Sequence, residues 1–98
     1  MPYELTRSAE QDLIDIYVQG CRLFGVRQAE SYFAQFEAAF DRIAHFPNMA
    51  RQRHELSPPV RIHPCGAHVV VYDVHDNNHV LIIRIHHGRE DWISHPEG

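Results

Sequence analysis

The sequence predicts a two-layer α+β domain with the element order β-α-α-β-β-β, in which a helix hairpin packs on one face of an antiparallel sheet. Three observations carry that prediction. Two segments, 9–24 and 29–44, repeat apolar residues at three- and four-residue steps and meet near Gly25. Three runs rich in β-branched residues, VRIH, HVVVYDVH and VLIIRIH, follow Pro58 and Pro59. A short alternating stretch, PYELT, comes before all of them.

PYELT sets Tyr3 and Leu5 on one side and reads as a strand. Thr6 or Ser8 then offers a helix N-cap, and Gln11 stands three residues after Ser8, where a capping box needs it. Ala9, Leu13, Ile16, Tyr17, Gly20 and Phe24 form one helical face, which Gly25 is placed to end. Ala29, Tyr32, Phe33, Phe36, Phe40, Ile43 and Ala44 make the stripe of a second helix, and Pro47 stops it. Glu30, Glu37, Asp41 and Arg42 lie off that stripe, so its aromatic residues read as core. Two such helices joined through one glycine fold back as a hairpin.

NMARQRHELSPP is a loop, and DNN is turn chemistry because asparagine tolerates positive φ. A two-residue turn at Asn77 and Asn78 would pair Val74 with Leu81, Tyr72 with Ile83, Val70 with Ile85 and His68 with His87. That face is apolar but for the last pair, and the helices are expected to cover it. The opposite face would pair His75 with Val80, Asp73 with Ile82, Val71 with Arg84 and Val69 with His86. Its half-apolar character calls for cover by a partner chain. Arg84 would lie diagonal to Asp73, as a salt-bridge partner.

With 98 residues, 44% of them apolar, the chain is one domain spanning residues 1–98. Its formal charge is −4, and every basic side chain is an arginine. That balance weighs against direct nucleic-acid binding. The sequence opens with no signal peptide and holds no apolar run of membrane-span length. A cytoplasmic protein with reduced Cys21 and Cys65 is expected.

The histidines invite a metal reading that their placement does not favour. His75 and His79 stand four apart across a turn, and His86 and His87 point to opposite faces of a strand. His68 and His87 would be neighbours, with Asp91 as a third group, but hydrogen-bonded structural histidines account for them better. No metal or cofactor is expected. Cys65 and His63 straddle Pro64 with no third partner to orient a base, so no nucleophilic unit is assigned. Arg51, Arg53, His54, Arg61 and His63 are candidates for a basic patch.

The chain resembles the RelE/ParE family of bacterial toxins over nearly its whole length. LTRSAEQDLIDIY is similar to the family's first helix, and FGVRQAESYFAQFEAAFDRIAHFPNMARQRHEL to its second helix and loop. VRIHPCGAHVVVYDV and VLIIRIHHGREDW resemble its paired strands and closing motif. The resemblance implies one of two activities. RelE-like members cut messenger RNA on the ribosome, and they tend to carry an arginine where this chain has Val69. ParE-like members act on DNA gyrase, and AHVVVY resembles them more closely. The implied function is gyrase inhibition by binding, without a catalytic residue, neutralised by a cognate ParD-like antitoxin. A RelE-like endoribonuclease and a non-toxic binding module of the same fold are the alternatives. In RIHHGREDW, His87, Arg89 and Asp91 match the closing motif. With Trp92 they are the candidate target-binding residues, since arginine and tryptophan dominate hot spots. Val71, Ile82 and Arg84, on the outer sheet face, are the candidate antitoxin-binding residues. The antitoxin tail is also expected along the helix hairpin, with a strand added at a sheet edge.

Overall fold

Thr6 begins the first helix. In the computed structural model, which describes residues 3–89, 92–94 and 96–97, its hydroxyl accepts the Ala9 N–H at 3.0 Å and so caps α1, Arg7–Phe24. The same hydroxyl donates to the Ile83 carbonyl at 2.6 Å, tying the helix start to the sheet. α1 ends at Gly25, whose φ of 92° suits glycine, and α2 follows at once as Val26–His45. The helices approach closely where Gly20 meets Ala29. A Cβ at position 20 would lie 3.3 Å from that of Ala29.

The sheet holds β1 (Tyr3–Leu5), β2 (Arg61–Cys65), β3 (His68–His75) and β4 (His79–His87) in the order β1-β4-β3-β2. The last three form the expected antiparallel meander. β1 runs parallel to β4, so the sheet is mixed and not purely antiparallel. β1 feeds straight into α1, and the chain reaches β4 only after the helices and two strands. A crossover of that kind is what a parallel neighbour needs. Pro64 lies in β2, an edge strand, where its missing N–H is tolerated.

The β3–β4 hairpin departs from the expected register at both ends of its upper half. Its turn is the three residues Asp76–Asn78, with Asn77 and Asn78 at φ 61° and 58°, so His75 faces His79. Val74 therefore pairs with Val80, and Tyr72 with Ile82. A bulge between Val71 and Tyr72 leaves Ile83 as the extra residue of β4, and the pairs Val71–Arg84 to His68–His87 fall as expected. A one-residue shift moves side chains to the other face. Val80 and Ile82, expected outside, are fully buried in the helix-side core with Val70, Tyr72, Ile85, Phe36 and Phe40. Leu81 and Ile83, expected inside, lie in an outer cluster with Val71, Leu56 and Val60.

That outer cluster corrects a second expectation. The outer sheet face is covered by this chain's own loop and C-terminal segment, since Leu56, Val60 and Trp92 pack on it. Burying one such side chain contributes roughly 1.5–3 kcal/mol toward holding the loop in place. Val71 is fully buried there.

Arg84 does not pair with Asp73, whose Oδ1 accepts the Val74 N–H instead. Its Nε and Nη2 donate to Asp12 of α1 at 2.8 and 3.0 Å, and Asp12 Oδ2 also accepts the Ile85 N–H at 2.9 Å. β1 pairs with β4 only as far as Ile82. The carboxylate takes over along the β4 edge where β1 stops. Replacing Asp12 with alanine removes three charge-assisted bonds from a largely buried site and should cost about 2–4 kcal/mol. Thermal unfolding would then fall by on the order of 10 °C, and a shift near zero would contradict the clamp.

Candidate functional site

An open groove of about 820 Å³ runs along the helix hairpin and ends against the sheet. Ile16, Leu23, Phe24, Ala29 and Tyr32 supply its apolar surface, and Gln19, Gln28 and Gln35 supply polar groups. Leu23 and Phe24 are 61% and 62% exposed, although Phe24 belongs to the predicted apolar stripe. They lie at the end of α1, where the hairpin turns away and nothing covers them among the described residues. Sequence periodicity marks a stripe as apolar but cannot say where its neighbour stops.

Tyr32 and His68 close the sheet end of the groove. Tyr32 Oη accepts the Ala67 N–H at 3.0 Å and lies 2.7 Å from His68 Nδ1 and 3.3 Å from the Cys65 carbonyl. Its one proton serves one of the last two, and the His68 tautomer decides which. Burial pushes the phenol pKa up, so the hydroxyl stays neutral. Gly66, at φ 59°, makes this possible. A Cβ there would stand 2.6 Å from the Tyr32 ring.

The candidate basic patch is divided. Arg51 and Arg53 pair with Glu55 at 3.2 and 2.6 Å, and these two arginines hold the Glu55 carboxyl down at about 2. Arg61 donates to the Ala50 carbonyl. His63 is partly buried, and its Nε2 has no hydrogen-bond partner among the described residues. Burial, then the Arg42 charge, holds its pKa below the ordinary 6.5. Burial raises the Cys65 thiol, which suits a packed side chain and not a nucleophile. His75 lies 3.9 Å from Asp73, and His79 lies 3.6 Å from Glu4. Among the described residues no three metal-ligating side chains gather.

At the closing motif, the His87 ring meets that of His68 edge-on at 5.0 Å, and its Nδ1 accepts the Arg89 N–H at 3.1 Å. Arg89 is exposed, whereas Trp92 is half-buried against the outer cluster. Asp91 lies outside the described residues. His86, not singled out by the sequence, is buried, and its Nε2 lies 3.1 Å from the Pro96 carbonyl. Val71 and Ile82 are fully buried on opposite faces, and Arg84 is engaged by Asp12. The structure therefore brings together His87 and Arg89 at the end of β4, with His87 on the helix side against His68 and Trp92 apart from it on the outer sheet face. It separates Val71, Ile82 and Arg84.

A family profile described as ParE toxin of type II toxin-antitoxin system, parDE, matches residues 3–92. The chain belongs to the ParE toxin family. It is 37% identical over 86 residues to Toxin ParE1 of Caulobacter vibrioides, covering 88% of each chain. It is 32% identical over 89 residues to Toxin ParE1 of Mycobacterium tuberculosis, covering 91% of each. The ParE fold itself is matched by a chain of the chromosomal ParDE TA system from P. aeruginosa, with a TM-score of 0.76 at 22% identity. That match covers 89% of this chain and 95% of the other. No described helix of this ParE-family chain is long and apolar enough to cross a membrane.

His63 gives the ParE fold an acid-sensitive point. The unfolded chain binds a proton at His63 near pH 6.5, and the folded chain resists it. Its contribution is complete above that pH and is lost as pH falls through the lower folded pKa. Urea unfolding should lose more stability between about pH 7.5 and 5.5 in the wild type than in His63→Leu. Equal losses would contradict the burial of a neutral imidazole.

Proposed function

We propose that this ParE-family toxin inhibits DNA gyrase by binding it, so that cleaved DNA is not resealed, and that a ParD-like antitoxin holds it inactive. One observation carries the choice of binding over catalysis. The outer sheet face is filled by an apolar cluster, with Leu56, Val60 and Trp92 lying over Val71 and Ile83. RNA cleavage on that surface would need cations to hold a phosphate and groups to move protons. Val69 lies on this face where the ribonuclease branch tends to carry an arginine.

The antitoxin surface in this reading is the helix groove. Val71 and Ile82 are buried, so they offer a partner nothing, whereas Leu23 and Phe24 are open. An amphipathic antitoxin helix would bury both in the groove and meet the glutamines along its rim. The target surface in this reading is the C-terminal edge, where Arg89 and Ile93 are exposed, Trp92 is half-buried on the outer face and His87 lies beside His68 on the helix side.

Purified protein should block supercoiling by gyrase and accumulate cleaved DNA. Changing Leu23 and Phe24 together to aspartate should weaken antitoxin binding by about tenfold or more and leave gyrase inhibition intact. Cleavage of ribosome-bound messenger RNA with gyrase unaffected would move the chain to the ribonuclease branch. Unchanged antitoxin affinity in the double variant would remove the groove from the account.

A further inference from the structure

We infer that His86 is a positioning residue. It latches the C-terminal strap onto the outer sheet face, and the latched strap is the surface the target reads. The second half of this rests on the reading of the C-terminal edge given above.

The geometry begins at the end of β4. The Gly88 N–H donates to the Ala67 carbonyl at 2.8 Å, and the Arg89 N–H donates to His87 Nδ1, so the chain turns sharply as the strand ends. It then runs back over the outer sheet face. Trp92 packs on the outer cluster, and Pro96 is fully buried. The described part of this strap, residues 92–94 and 96–97, is built of turns. The apolar anchor is Trp92 at one end. The polar anchor is His86 at the other.

His86 is the buried polar side chain of the described residues, with 4% exposure. Its register partner is Val69, two residues before the outward-facing Val71, so its ring lies on the outer face beneath the strap. The Pro96 carbonyl can only accept, so the Nε2 within 3.1 Å carries the hydrogen and donates it. Losing that donor would leave a buried carbonyl unsatisfied at the far end of the strap. The strap's release would also free the backbone that presents Ile93, which is 57% exposed. A strap that has lost one of its anchors presents its contact residues in more arrangements, and binding then has to order them.

The test uses two substitutions and the one tryptophan of the chain. His86→Phe keeps an apolar ring of similar size and removes the donor. His86→Gln puts an amide N–H where Nε2 stood. Trp92 emission and acrylamide quenching report the strap, growth arrest on expression reports toxicity, and antitoxin affinity reports the helix groove. The inference expects His86→Phe to expose Trp92 and lower toxicity by about tenfold or more, with antitoxin affinity within about threefold of the wild type. His86→Gln should restore both Trp92 protection and arrest. A His86→Phe chain with Trp92 still protected overturns the latch. Exposed Trp92 with undiminished arrest overturns the strap as target surface. A His86→Gln chain that fails as His86→Phe does also overturns the latch. Because growth arrest does not depend on the identity of the target, a wild type that arrests growth without touching gyrase fails only the proposed target. An inert wild type overturns the role given to the strap.

Discussion

One extra residue in β4 decides what each face of this molecule is made of. Ile83 bulges from the β3–β4 ladder, and its carbonyl accepts the Thr6 hydroxyl that also caps α1. The bulge cancels the extra residue of the Asp76–Asn78 turn. Val80 and Ile82 above it, and Ile85 below it, thus join the helix-side core, while Leu81 and Ile83 turn outward. Without it, either the upper or the lower half of the strand would present the wrong side chains to α1 and α2.

Both surfaces assigned to partners follow from that partition. The outer face has enough apolar area to draw in the 47–60 loop and Trp92, so it is sealed by the chain itself. The helix side is sealed over most of its length by Phe36, Ala39, Phe40 and Ile43. It opens into the groove where α1 ends at Phe24 and the sheet ends at His68 and His87. The two surfaces proposed for partners lie at the ends of elements, at the hairpin tip and at the strap after β4. Asp12 holds the arrangement at the sheet edge, joining the middle of α1 to Arg84 and Ile85 just beyond the bulge.

The local elements were legible in the sequence because their causes are local. Thr6 was one of two candidate caps, Gly25 ends the first helix, and the positive φ of Asn77 and Asn78 matches their residue type. The stripe from Ala29 to Ile43 is core in its deeper positions. What was not legible depends on counting across space. DNN is as compatible with a two-residue turn as with a three-residue one, and a bulge at Ile83 leaves no mark where apolar residues run unbroken from Val80 to Ile83. The parallel partner of PYELT lies more than seventy residues away. Arg84 and Asp12 are a pair that no spacing rule joins. At the closing motif the residue types gave no sign of the half-burial of Trp92 or of the contact between His86 and the Pro96 carbonyl, which lies ten residues on.

The central claim is the face assignment made by the Ile83 bulge, and methyl NOEs in solution test it most directly. Ile83 methyl groups should give cross-peaks to the Trp92 indole, and Ile82 methyl groups to the aromatic rings of α2. The reverse pattern, with Ile82 near Trp92 and Ile83 near the α2 rings, would mean a regular hairpin and would contradict the account.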